Sequence, residues 1–329
     1  MTEKTYGIGG FYPEGALISR AENQLNLKNS KTLSDAASRG ITLESQCIMC
    51  DCSSMTLTVE LPDGIRGVIL KDEVCYSPDN DNEVKDIAII TRVGKPIQYK
   101  ILRFEESEHG SVAFLSRRAA QKECYNKYVS AMCPGDIIPA RVTHLEPFGA
   151  FCDIGCGLIS LLTVDKISVS RISHPSDRFS PGEYISAVVS SVDENGRIYL
   201  THRELLGSWE ENAALFSAGQ TVTGIIRSVE DYGVFVELAP NLAGLAESYD
   251  GAVPGDACSV YIKSIIPDRM KIKLILIDTC GRADPAPFRY FVDVDRTWHM
   301  DRWCYSPASC RKTVETVFSV QSENIKNTY

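Results

Sequence analysis

The sequence has no apolar run near the roughly 18 to 20 residues that a membrane-crossing helix needs. Its start, MTEKTYGIGG, has no basic stretch leading into an apolar core. The first absence excludes a helical membrane protein; the second, with no export signal to read, predicts a cytoplasmic chain. Positive charge is not in excess either: 34 Lys and Arg stand against 43 Asp and Glu, a formal charge of -9. That argues against a polycationic coat for nucleic acid. It leaves open a local basic or aromatic groove, because affinity for a single strand depends on which side chains line one face. The chain also lacks a Walker loop, a G-x-S-x-G elbow, an H-E-x-x-H helix and paired C-x-x-C motifs at zinc spacing. It therefore reads as a protein that is not an enzyme and takes no cofactor.

Cysteine is not scarce. Twelve are scattered through 329 residues, which in a chain without an export signal predicts reduced, mostly buried thiols rather than a disulfide framework. The densest group, CIMCDC at 47–52, falls on a predicted strand, where Cys50 and Cys52 share one face and Cys47 takes the other, so the three do not converge on a metal. His299, Cys304 and Cys310 near the C-terminus supply three donors without a recognisable knuckle, and no metal is expected there.

What the sequence does contain is a repeat. PGDIIPARVTHLEPFGAFCDI (134–154) aligns without a gap on AGQTVTGIIRSVEDYGVFVEL (218–238), placing Phe148 on Tyr232, Phe151 on Phe235 and Asp153 on Glu237. Each copy reaches a Gly-Leu pair, Gly157-Leu158 and Gly244-Leu245, and ends in a second β pair. A weaker copy precedes them: VELPDGIRGV (59–68) aligns on VELAPNLAGL (236–245), and extending that match places Cys47, Cys50 and Cys52 over Gly224, Arg227 and Val229. Period-2 alternation, β-branched residues and turns at ENG and PDR mark strands throughout. About five short strands per copy suit a small closed barrel of the oligonucleotide-binding type. Segments 119–132 and 204–217 have helical apolar spacing and read as connecting helices.

The predicted architecture is all-β: three tandem five-stranded OB-fold barrels joined by short helical linkers, with small terminal extensions. The divisions are 1–39 N-terminal extension, 40–118 degenerate barrel, 119–132 linker, 133–203 second barrel, 204–217 linker, 218–278 third barrel and 279–329 C-terminal extension. The N-terminal extension reads as a flexible lead ending in a helical turn that Thr32 or Ser34 could cap. The C-terminal one could cap the third barrel or offer a partner surface.

Phe148 and Phe151 flank a Gly-Ala pair. Gly149 permits a bulge or bend that turns both rings outward into a base-stacking platform; the bland alternative makes both rings core. Recurrence as Tyr232 and Phe235 favours the platform. Arg141 and Arg227, on the strands leading to the rings, and Arg197 and Lys271, after the ENG and PDR turns, supply positive charge, although any one of them could be merely solvated. In barrel one, Met55 and Thr58 take the places of the rings.

The pattern of Gly135, FGAF, Gly-Leu and VDENGRIYLTHR resembles the S1 domain, the RNA-binding repeat of the bacterial ribosomal S1 family, over residues 40–278, in the manner of a short three-repeat form. That resemblance implies that Phe148, Phe151, Asp193 and Arg197 surround bound RNA. It implies single-stranded RNA, mRNA in particular, and the small ribosomal subunit as partners. The chain departs from the family pattern where a histidine follows the Gly-Leu pair: Ser160 and Glu247 stand there. Glu247 places negative charge where phosphate would approach, and His144 is a candidate substitute ring, although a lone strand histidine is more often packed or solvated. A regulatory or adaptor protein with the same barrels but no ribosomal role remains the competing reading.

Overall fold

The structure is a computed structural model that describes residues 10–77, 85–107, 110–284 and 288–318. Among the described residues, no helix is long and apolar enough to cross a membrane. Two short helices, α1 (Ala21–Asn26) and α2 (Ser30–Ser38), precede the first barrel. That barrel comprises β1 (Leu43–Asp51), β2 (Thr56–Glu60), β3 (Arg66–Ile69), β4 (Pro96–Ser107) and β5 (Gly110–Ser116), with α3 (Asp86–Ile90) inserted before β4. After helix α4 (Arg117–Lys127) comes β6 (Ile137–Glu146), β7 (Gly149–Asp153), β8 (Ile159–Thr163), β9 (Tyr184–Val192) and β10 (Ile198–Thr201). Helix α5 (Trp209–Ala213) leads to β11 (Thr221–Glu230), β12 (Gly233–Ala239), β13 (Leu242–Ala246), β14 (Asp256–Ile266) and β15 (Lys271–Arg282). A small pair, β16 (Arg302–Cys304) and β17 (Glu315–Val317), follows.

Each set of five closes into a barrel with one topology: first-second-third-fifth-fourth, the third and fifth strands parallel and all other neighbours antiparallel. This is the five-stranded Greek-key order of an OB fold. Alternate inward residues such as Val142, Cys152, Leu162 and Leu200 fill the second barrel, and Ile226, Val236, Ala246 and Leu274 the third. The first strand of each barrel carries a bulge at the same place, after Cys47, Val142 and Ile226, opposite Val59, Cys152 and Val236. These bulges fix the equivalences among the copies.

The register corrects two alignments. Cys47 lies over Ile226, not Gly224, because the β1–β2 turn has four residues between paired positions, Cys52 to Met55, where β11–β12 has Asp231 and Tyr232. Cys47 is accordingly buried, Cys50 half-buried and Cys52 exposed in the turn. The two Gly-Leu pairs also do not correspond. Gly157-Leu158 precedes β8, whereas Gly244-Leu245 lies within β13, opposite the same strand position as Ser160-Leu161. All twelve cysteines are free thiols, and among the described residues no metal-ligand cluster occurs.

The connectors differ from simple helices. Helix α4 starts at Arg117, capped by Ser116, and a 3-10 turn follows it. The second connector is a 3-10 turn, Arg203–Leu206, then Gly207 at φ 82°, then α5 with Ser208 and Glu211 in a capping box. From residue 10 onward the N-terminal lead is ordered, and Asn29 rather than Thr32 or Ser34 caps α2, with Thr32 as its reciprocal partner.

Polar anchors hold this lead. Glu44 accepts hydrogen bonds from the backbone N–H of Gly15 (2.6 Å), Leu17 (2.7 Å) and Ile18 (2.7 Å); burial nonetheless raises its pKa. Glu14 accepts from Arg117 through Nε (2.6 Å) and Nη2 (3.0 Å), and its own N–H donates to Asp153 at 2.7 Å. Barrel one, α4, barrel two and the N-terminal segment thus meet at one buried cluster. Barrels two and three meet similarly: Arg178 and Arg227 both reach buried Glu237, Arg227 Nε at 2.8 Å. The C-terminal segment runs back across both. Tyr305 donates to the Asn241 carbonyl (2.7 Å), His299 bonds Asp136 (2.6 Å), and Tyr290 contacts His202 (3.3 Å).

Two measurements test these seams. Arg117→Met leaves the Glu14 carboxylate short of its main partner, and urea unfolding should show a loss of about 3 kcal/mol. His202 is fully buried between Phe179 and Phe288, and burial lowers its pKa to about 4. The unfolded chain therefore takes up a proton near pH 6.5 that the fold refuses. Stability supplied by the neutral ring falls as pH drops from about 6.5 to about 4, by up to about 3 kcal/mol. Asp153, raised by burial, acts with the opposite sign, so the readout is a difference. The stability gap between wild type and His202→Gln should narrow across that range, as measured by denaturant melts at each pH.

Candidate nucleic-acid interface

On barrel two, Phe148 sits in the turn before β7 and is 54% exposed. Phe151 lies on the outward face of β7, half-buried. Their rings meet edge to face at 5.9 Å, a favoured aromatic geometry. Both rings face out because one precedes the strand; the bulge belongs to the neighbouring strand β6, at Thr143. Gly149 serves close approach instead: a Cβ there would lie 2.5 Å from the Leu162 carbonyl oxygen. His144 stacks on Phe151 at 6.4 Å and bonds Glu146 at 2.7 Å, so it belongs to the outer face. Across the sheet, the row continues from Phe151 through Leu161 to Tyr199. Arg197, exposed, stands at the end of the β9–β10 turn. Asp193 holds that turn, accepting from the N–H groups of Asn195 (2.9 Å) and Arg197 (2.8 Å) through one carboxylate oxygen.

Barrel three repeats the geometry. Tyr232, 68% exposed, meets Phe235 edge to face at 6.1 Å. Leu245 and Lys273 extend the row, as Leu161 and Tyr199 do in barrel two. Lys271, exposed, occupies the Arg197 place, two positions before the parallel-paired residue in each copy. Ile266 stands where Asp193 does, so this turn lacks its carboxylate. The histidine place is taken by Glu247 in barrel three and by Thr163, not Ser160, in barrel two. Ser160 is buried and donates to the Ile198 carbonyl at 2.6 Å.

Two of the basic candidates lie elsewhere. Arg141 turns to the N-terminal segment, donating to the Glu14 carbonyl (2.9 Å) and packing over Tyr184. Arg227 is spent on Glu237 and Asp177 in the seam between barrels. Arg227 lies against a buried carboxylate, and desolvated carboxylates bind such partners tightly; Arg141 is held by the backbone carbonyls of Glu14 and Gly182. In barrel one, Met55 and Thr58 hold the ring positions, and the guanidinium of Arg103 covers the one aromatic of the row, Phe114, at 3.9 Å.

The family model of the S1 RNA binding domain matches residues 133–203, the span from the approach to β6 to the end of β10. The second barrel is an S1 domain. Over two thirds of its length the chain is similar to the small ribosomal subunit protein bS1 of Chlamydia muridarum, at 26% identity over 230 residues, 66% of this chain and 39% of that protein. It is 29% identical over 240 residues to the bS1 homolog of Bacillus cereus, covering 70% of this chain and 60% of that protein. The chain therefore spans between about two fifths and three fifths of these relatives' lengths. A multidomain protein with nucleic acid binding domains from Streptococcus pneumoniae aligns over 73% of this chain and 74% of its own at 14% identity, with a TM-score of 0.23 that carries no further weight.

Sequence reasoning missed Tyr199 and Leu161, which complete the outer row of the S1 domain. The signal was there: in IYLT, Tyr199 alternates with the inward Ile198 and Leu200. The residues bordering that row from α4 had no such signal, because they come from outside the repeat.

Proposed function

We propose that the chain is an RNA-binding protein of the ribosomal S1 type. Barrels two and three hold single-stranded RNA, mRNA in particular, and the chain associates with the small ribosomal subunit in the cytoplasm. The supporting observation is the duplicated ring pair: Phe148 over Phe151 and Tyr232 over Phe235, each exposed ring set edge to face on a half-buried partner, with Arg197 or Lys271 at the end of the row. Bases stack on such rings with little regard to sequence, and a nearby cation meets the backbone phosphate. No bond is made or broken; the chemistry is non-covalent binding.

The two faces are unequal. Barrel two has His144 and an Asp193-braced turn, whereas barrel three carries Glu247 beside its rings and has no acidic brace. Barrel two is the stronger site, and barrel three adds avidity because its binding becomes intramolecular. Barrel one, with Met55 and Thr58 in the ring places and Arg103 over Phe114, takes a protein-facing role. The ribosomal assignment draws on the names of the relatives, and the relatives are longer than this chain.

Fluorescence anisotropy with an unstructured RNA tests the stacking. Joint replacement of Phe148, Phe151, Tyr232 and Phe235 by Ala should weaken binding by about a hundredfold or more, from about 1–3 kcal/mol per stacked base; unchanged affinity at moderate salt would sink the proposal. Sedimentation of cell extracts tests the partner: the protein should co-migrate with small subunits. Its appearance only in the free fraction would favour the adaptor reading.

A further inference from the structure

The outer row of the S1 domain does not end at its own barrel. Phe151, Leu161, Tyr199 and Arg197 form one wall of a cleft of about 470 Å³ whose opposite wall is Tyr125 of α4 and Tyr76, from the β3–β4 connection of barrel one. The two tyrosine rings lie 5.7 Å apart, tilted against each other, and both are half-buried. Backbone and side-chain bonds hold the wall in place. The Tyr76 N–H donates to Gln121 (2.9 Å), and Gln121 donates to the Cys156 carbonyl of barrel two (3.1 Å). A Cβ on Gly196 would meet the Tyr125 hydroxyl at 2.5 Å, so the Asp193–Arg197 turn touches the helix directly.

Along the face, the order is Phe148 in its turn, then Phe151 with Leu161 and Tyr199, then Arg197, then Tyr125 and Tyr76. A single strand lying on the first two rings and passing Arg197 arrives at the tyrosine pair. We propose that the cleft between barrel two and the α4 connector receives the next nucleotide of the same single RNA strand, with Tyr125 and Tyr76 as its stacking wall and Arg197 shared between the two subsites. The occupant follows from continuity with the ring platform, from the aromatic lining and from the cation at the threshold. This rests on the RNA-binding reading above and extends the site beyond barrel two, onto Tyr76 of barrel one and Tyr125 of the connecting helix.

Lengths of RNA separate the two claims. The probes are labelled oligouridylates of about four and about twelve nucleotides, bound to the full chain. Tyr76→Ala with Tyr125→Ala should weaken the longer RNA about tenfold and leave the shorter one unchanged, since the short strand is satisfied by the platform. Tyr76→Phe with Tyr125→Phe keeps both rings and should bind both lengths like wild type, which guards against a mere folding defect. Equal loss for both lengths, or no loss for either, overturns the cleft proposal. Failure of the platform itself shows separately: Phe148→Ala with Phe151→Ala would then leave both lengths unaffected.

Discussion

A buried carboxylate at one strand position governs how the barrels are joined. Asp153 ends β7 and Glu237 lies at the equivalent place in β12, each next to the bulge-bearing first strand. Both are almost wholly buried. A desolvated carboxylate is costly unless donors surround it, and in each case a donor comes from an earlier part of the chain: the N-terminal segment for Asp153, the β8–β9 connection of barrel two for Glu237. Asp153 takes the Glu14 N–H, beside the Glu14–Arg117 pair; Glu237 takes Arg178. The requirement to satisfy one acid thus sets each barrel against its predecessor. The equivalent residue of barrel one, Glu60, is exposed.

The same requirement takes Arg227 from the outer face, and backbone carbonyls take Arg141. Arg141 and Arg227 start on the strands that lead to the rings, and from the sequence alone nothing separates them from Arg197 or Lys271. Arg227 is the bulged residue of β11 and swings to Glu237, while Arg141 is drawn to the N-terminal segment. The residues left on the outer face are those at the β9–β10 and β14–β15 turns, remote from the buried acids.

Legibility follows physical range. The ring pairs, the strands and the closed barrels were readable because period-2 burial and turn residues are local and the copies reinforce each other. The equivalence of Cys47 with Ile226 was not, because a turn two residues longer shifts everything before it, and a register shift in a strand leaves a plausible alternation behind. The order of the N-terminal lead escaped for a different reason. Leu33 and Ala36 of α2 pack into the core of barrel one, but the stretch before α2 is held by Glu14, Asn23 and Glu44, whose partners lie in other elements. Polar anchoring over long sequence separation leaves no periodic trace.

The C-terminal segment acts on the side of the molecule that the rings leave free. Phe288 and Tyr290 close over His202 at the end of barrel two, His299 pairs with Asp136 at its beginning, and Trp303 and Tyr305 enter the core of barrel three. Large aromatic surface is thereby removed from water on this side, with Tyr290 and Tyr305 hydroxyls bonded to backbone. Phe148 and Tyr232 receive no such cover. Equivalent rings thus stay exposed on two barrels, while Phe288, Tyr290, Trp303 and Tyr305 of the C-terminal segment are packed and its Trp298 stays 52% exposed. What sets Phe148 and Tyr232 apart is their recurrence at one position, each edge to face on a half-buried partner, and that recurrence is the support for the proposed binding role of the two outer faces.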